Sequence, residues 1–201
     1  MPLLSLSVTY DYRCPFARNA HDHLVTALRA GADWDVNFVP FSLSQVHVEP
    51  GETPVWDDPE HAGDLLAMEA GIAVRDRQPE HFLDVHQALF SARHDQGRDL
   101  RDAAVVASIV ERSGADPALV MSDIDEGWPR RAFREAHEDA VARYQVFGVP
   151  TFIAGGRAMF ARLMTRPDGD ADLARSTIEM VVGMVAGHPE LNELKATTID
   201  R

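Results

Sequence analysis

Tyr10-Asp11-Tyr12-Arg13-Cys14-Pro15-Phe16 places a cysteine and a proline between two segments of different periodicity. Upstream, residues 3–10 (LLSLSVTY) alternate apolar with small polar residues, the pattern of a β-strand. Downstream, residues 15–30 (PFARNAHDHLVTALRA) carry Phe16, Ala20, Leu24, Ala27 and Leu28 at helical spacing, and Gly31 closes the run as a C-cap. Proline suits the first helical position, because the N–H it lacks would be unpaired there, so Cys14 is the expected N-cap. Its sulfur then meets free N–H groups and the positive end of the helix dipole. Cysteines so placed have pKa values of roughly 3.5–7.5 against about 8.5 when free. Arg13 and Arg18 add to this effect if their side chains turn inward. Cys14 is therefore the candidate nucleophile, at a strand end where open α/β sheets form ligand crevices. A cysteine packed as a small buried hydrophobe is the alternative.

Outward from this junction, residues 34–42 (WDVNFVPFS) alternate again and predict a second strand. Strand, helix, strand within about forty residues is a βαβ unit, which implies parallel pairing. From residue 57 to 113 the strand pattern disappears, and amphipathic runs at 60–72, 79–93 and 100–112 are punctuated by Gly71, Pro79, Gly97 and Gly114. Further helices are predicted at 117–126, with Asp116 as N-cap, and at 129–145. Residues 151–154 (TFIA), Gly155-Gly156 and 157–160 (RAMF) read as a hairpin. A last helix at about 170–186 carries an Ile178, Val181, Val182, Val185 stripe and is capped by Gly187; His188-Pro189 leads into a loosely held end. The order is β-α-β, a helical block, then β-β-α. This is an α/β chain with a thioredoxin fold and an inserted all-helical domain, the thioredoxin-like part at residues 1–56 plus 146–201 and the insert at 57–145.

Composition narrows the function. The formal charge of −13 repels nucleic acid and anionic membranes, and the bases, all arginine except Lys195, form no patch that would override it. No apolar run approaches the roughly eighteen residues of a membrane span, and residues 1–13 lack a basic leader and cleavage pattern. A cytoplasmic protein with a reduced thiol is expected. A single cysteine excludes an internal disulfide, dithiol cycling within the chain and a four-thiolate zinc site. His21 and His23 are two apart and His81 and His86 five apart, neither the i, i+4 spacing of a helical metal pair, so no metal site is expected. Gly155-Gly156 is a hairpin turn, not a phosphate loop. The acidic stretch 116–126 reads as a solvated helix face. Trp56, Phe82, Phe90, Trp128 and Phe133 are expected in the core, some of them lining the cleft between the two parts.

A second signal is Gly148-Val149-Pro150-Thr151-Phe152, where a proline enters a central strand although it cannot donate to the ladder; such tight approaches often use a cis bond. With the Cys14-Pro15 junction and the helical block between them, it makes the chain resemble DsbA-like proteins of the thioredoxin superfamily. The FrnE-like and mycothiol-dependent reductase branches are included, and kappa-class glutathione transferases and 2-hydroxychromene-2-carboxylate isomerases are more distantly similar. The resemblance covers nearly the whole chain. It implies a thiol-disulfide oxidoreductase with Cys14 as nucleophile, Pro150 as the cis-proline packed against it, and Val149 as the residue whose backbone pairs with a bound thiol peptide. Arg13, Pro15, Phe16 and Thr151 become candidate cofactor-binding residues, and His137, in the helix just upstream, a candidate second polar group. The redox-active members carry Cys-Pro-X-Cys, whereas the fourth position here is Ala17. Alanine cannot resolve a mixed disulfide, so an external thiol such as glutathione or mycothiol must act as co-substrate, with no tightly bound cofactor. The expected partners are that thiol and a small-molecule or disulfide substrate, and the resemblance adds a homodimer. Two other readings stay open: a kappa-type transferase or isomerase in which Cys14 stabilises the cofactor's thiolate, and a redox-inactive thioredoxin-fold binding protein.

Overall fold

Strand β1 (Leu4–Tyr10) pairs in parallel with β2 (Trp34–Pro40), Leu4 opposite Trp34 and Tyr10 opposite Pro40, with helix α1 (Pro15–Arg29) as the crossover. The computed structural model describes residues 4–198, so Leu3, expected in the first strand, lies outside them. After β2 come the short helix α2 (Leu43–Val46) and a 3-10 turn at Pro59–His61. The helical block follows as α3 (Ala62–Arg77), α4 (Pro79–His94), α5 (Ala103–Arg112), α6 (Pro117–Asp125) and α7 (Trp128–Tyr144). The chain returns to the sheet as β3 (Thr151–Ala154), antiparallel to β1 with Val8 opposite Phe152, and β4 (Arg157–Phe160), before α8 (Ala171–Gly187). The strand order is β2-β1-β3-β4. Gly155 and Gly156 join β3 to β4 at φ 59° and 76°, two consecutive positive angles that a tight hairpin turn requires and side chains disfavour.

Period-two alternation assigns the faces of the sheet. Phe38 of β2 faces His21 on α1 and Phe82 on α4. Its neighbours Asn37 and Val39 line, with Ala136 and Ala140 of α7, a groove on the other face. Helices α1 and α8 pack against one another, and α8 covers β3 and β4, while α7 packs on both β2 and α3. The predicted stripe of α8 is buried through Ile178, Val181, Val182 and Val185. One hydrophobic core runs from Leu6 and Val8 of the sheet into Ile72, Leu89 and Phe133 of the insert.

Several boundaries differ from the sequence reading, each for a local reason. β2 ends at Pro40 rather than Ser42, because Ser42 turns to cap α2 and accepts the Gln45 N–H. Helix α3 does not stop near Gly71 but runs through it to Arg77. Helix α5 starts at Ala103, not Leu100, because Asp102 accepts the N–H groups of Ala104 and Val105 and is a strong N-cap. The last helix includes Gly187, and His188 takes the C-cap position.

Candidate active site

Cys14 is the N-cap of α1, with extended backbone (φ −91°, ψ 118°) and a sulfur that accepts the Ala17 N–H at 3.4 Å. The residue is 7% exposed. Its S–H also donates to the Val149 carbonyl, Sγ to O 3.4 Å. The Val149–Pro150 peptide bond is cis, and both residues are buried against the cysteine turn. Burial overturns the expected low pKa. Desolvation raises the Cys14 thiol above its ordinary value, the N–H groups of Ala17 and Phe16 pull it down, and the Asp11 carboxylate pushes it up again. In this arrangement the resting group is the thiol, and the Val149 carbonyl is the acceptor that holds its proton.

The two arginines expected to support a thiolate do not turn toward the sulfur. Arg13 grips Asp11 through Nε at 3.2 Å and Nη2 at 2.9 Å, and its Nη1 donates to Ser44 Oγ at 2.7 Å. Asp11, 1% exposed, also accepts the main-chain N–H groups of Arg13 and Leu43. A buried carboxylate with four donors is fully satisfied, and it ties the β1–α1 turn to the start of α2. Arg18 is bonded to Asp95, the C-cap of α4, and lies near Asp22. Pro15 is exposed, and Phe16, half-buried, lies beneath the Arg162 guanidinium at 5.2 Å.

Thr151, a sequence candidate for cofactor contact, turns both of its polar groups inward. Its N–H donates to Thr9 Oγ1 at 2.8 Å and its hydroxyl to the Gly148 carbonyl at 2.8 Å. These bonds hold the Gly148–Pro150 turn onto β1, which makes Thr151 a support for Val149. His137 is likewise occupied elsewhere: Nδ1 accepts the Ser42 N–H at 3.2 Å, and the ring sits between Phe41 and Trp56. Burial lowers its pKa to about 4, so it is neutral and its bonds place it behind the α2 cap, not beside the sulfur.

A thioredoxin sheet, an N-cap cysteine facing a cis-proline turn and a helical insertion coincide with a family model. The model for the DSBA-like thioredoxin domain matches residues 5–166. The chain belongs to this family. Among solved structures, the cytosolic disulfide reductase DsbM from Pseudomonas aeruginosa with GSH is 18% identical, with 89% of this chain and 99% of that one covered at a TM-score of 0.59. MdbA, a thiol-disulfide oxidoreductase from Actinomyces oris, is 16% identical over 87% and 80% of the two chains, TM-score 0.61. Pseudomonas aeruginosa DsbA is 21% identical over 89% and 84%, TM-score 0.57. At these identities the likeness is one of fold. No curated protein matches the chain.

Beside the DsbA-like cysteine turn lies a cleft of about 490 Å³, bounded by Tyr12 and Arg13 on one side and by Asp64, Met68, Arg93 and Arg101 of the insert on the other. None of the five aromatic residues lines this cleft, but Trp56 lines a second one of about 240 Å³, between Gln45 and Pro54 on one side and His137 and Val141 of α7 on the other. Trp56, Phe82, Phe90 and Phe133 are buried in the core and Trp128 is half-buried against it. Among the described residues there is no cluster of metal-ligating side chains and no helix long and apolar enough to cross a membrane. Sequence reading missed the roles of Thr9, Asp11 and, on α4, His86 and His94. Asp11 alone carried a signal, as an acid next to the motif; the others acquire their roles only from contacts across at least 65 positions, such as the 2.8 Å bond between His21 and His86.

Proposed function

We propose that this DsbA-like protein is a cytoplasmic thiol-disulfide oxidoreductase of monothiol type, with Cys14 as the attacking sulfur and a low-molecular-weight thiol, glutathione or mycothiol, as co-substrate. The observation that carries the reading is the 3.4 Å contact between Cys14 Sγ and the Val149 carbonyl, with Ala17 on the other side of the sulfur. In this reading the Val149 carbonyl serves two hydrogen bonds in turn. At rest it takes the Cys14 S–H. A docking substrate that offers an N–H to that carbonyl displaces it, and the sulfur keeps only the N–H donors at the helix start, which favour the thiolate.

The displaced proton passes to water, and the Cys14 thiolate attacks one sulfur of the substrate disulfide, forming a Cys14 mixed disulfide and releasing the other substrate sulfur as a thiolate that takes up a proton from water. Ala17 offers no second sulfur, so an external thiolate attacks the adduct. Cys14 leaves as thiolate, and the external thiol becomes disulfide-bonded to the substrate; a second equivalent completes reduction. The ionic lining of the adjacent cleft, Arg93, Arg101 and Asp64, suits a small charged thiol better than an aromatic substrate.

The test is exposure to oxidised glutathione followed by intact-mass measurement, in parent protein and Cys14→Ser. One glutathionyl group on Cys14, removed by excess glutathione, is expected in the parent alone. Disulfide turnover that survives Cys14→Ser would overturn the proposal in favour of a cofactor-thiol transferase. Absence of both adduct and turnover would favour a binding protein.

A further inference from the structure

Tyr12, two residues before Cys14, is held at both ends by one helix of the insert. Its hydroxyl meets His86 Nδ1 at 2.9 Å, and its main-chain carbonyl accepts from His94 Nε2 at 2.9 Å. Both histidines lie on α4, eight residues apart, or about 12 Å of helix. The proton positions follow from the far end of the chain. The Thr9 carbonyl only accepts, so His21 Nε2, 3.4 Å away, carries the hydrogen. His21 Nδ1 is then bare and accepts from His86 Nε2–H at 2.8 Å, which leaves His86 Nδ1 to accept the Tyr12 hydroxyl. Burial keeps both imidazoles neutral, so every proton in this buried chain has one place. Helix α3 makes room for it: a Cβ on Gly71 would stand 2.5 Å from the Tyr12 oxygen. Tyr12 lies within the turn closed by the Cys14 N–H on the Asp11 carbonyl at 3.0 Å.

We propose that His94 and His86 are positioning residues: by fixing Tyr12 at its carbonyl and its hydroxyl, they hold the Asp11–Cys14 turn closed and the Cys14 sulfur against the Val149 carbonyl. The inference rests on Cys14 being the reacting sulfur. The helical insert thereby sets the reactivity of a cysteine that belongs to the other part of the fold. Severing Tyr12 from α4 loosens the turn and exposes the sulfur to water. Exposure removes the desolvation that now keeps Cys14 protonated. Asp11 is the charged group facing the thiol, and Arg18, Arg93 and Asp95 surround His94, so the replacements are chosen to leave those four in place.

The experiment is the pH profile of Cys14 alkylation by iodoacetamide, measured with thermal melting, for His94→Leu, His94→Gln and Tyr12→Phe. His94 is half-buried at the end of α4, where a replacement leaves the core intact. His94→Leu removes the donor to Tyr12 and is expected to bring the apparent pKa of Cys14 down toward about 8.5, with alkylation at pH 7 about tenfold faster for each unit of the fall. His94→Gln keeps an N–H donor and should retain the parent profile. Tyr12→Phe cuts the other end and should shift the profile in the same sense as His94→Leu. A leucine variant that melts lower but keeps the parent's profile would overturn the proposal, as would a glutamine variant that behaves like leucine. Failure of the enzymatic reading looks different: the parent would form no mixed disulfide, while alkylation would still respond to His94.

Discussion

Cys14 owes its place to the residue after it and its chemistry to residues far away. Pro15 starts the helix and makes Cys14 the cap, which the sequence predicts. Its protonation is decided by burial and by Val149, 135 positions away, and neither is written near the motif. At this scale the clearest prediction concerns Ala17, which is fully buried and whose N–H reaches the Cys14 sulfur. Ala17→Cys is expected to close a disulfide with Cys14 and to release a mixed disulfide without external thiol, at a cost of about 1–3 kcal/mol for the added volume. Single-turnover release of the substrate thiol measures it; a rate that still rises in proportion to added glutathione would show that position 17 cannot resolve the adduct. Arg13 and Thr151 carry the opposite lesson. Both stand in the motifs, but Arg13 is spent on Asp11 and Ser44 and Thr151 on Thr9 and Gly148, because a tight turn needs its own polar groups paired first.

Among the elements, the helices of the insert are legible by periodicity but not by partner. Gly71 reads as punctuation in sequence, since glycine inside a helix costs roughly 0.5–1 kcal/mol relative to alanine. In α3 it is instead the place where Tyr12 comes too close for any side chain. Gly71→Ala is therefore expected to destabilise by about 1–3 kcal/mol despite its better helix propensity, because the Tyr12 ring is packed and cannot step aside. Gly183, exposed within α8 and with open space where its Cβ would go, is the control: Gly183→Ala should stabilise by roughly 0.5–1 kcal/mol. Urea denaturation of the pair checks the sign, and the same sign for both would remove the close approach as the cause. Helix α2 has no signal in the sequence, since four residues carry no periodicity; the Asp11 carboxylate and the Ser42 hydroxyl make it by accepting the N–H groups of Leu43 and Gln45, and the His137 imidazole accepts the N–H of the Ser42 cap.

For the molecule as a whole, the buried histidines make stability depend on pH. Burial lowers His21 to about 3 and His137 to about 4, and puts His86 well below its ordinary value. The unfolded chain, with histidines near 6.5, takes up protons first as pH falls, so the stabilisation is complete above about pH 6.5 and is lost below it. By pH 5, His21 and His137 should each have surrendered about 2 kcal/mol, a large share of the roughly 5–15 kcal/mol of a folded domain. Asp22 and Glu69, raised by burial, act in the opposite sense at lower pH. Urea midpoints at pH 7.5, 6 and 5 measure the effect. A flat series would mean that these imidazoles reach water in the folded state.

The sequence by itself determined the order of elements, the cap position of Cys14, the absence of a second cysteine and the two turns that belong to the family. These depend on local spacing, turn chemistry and composition, which short stretches of chain contain. Only the tertiary structure decided that burial raises the Cys14 pKa, that Arg13, Thr151 and His137 are hydrogen-bonded to Asp11, Thr9 and Ser42, and that α4 grips Tyr12. Desolvation and hydrogen-bond pairing depend on what lies across the space around a group, and that is set when the insert closes on the sheet.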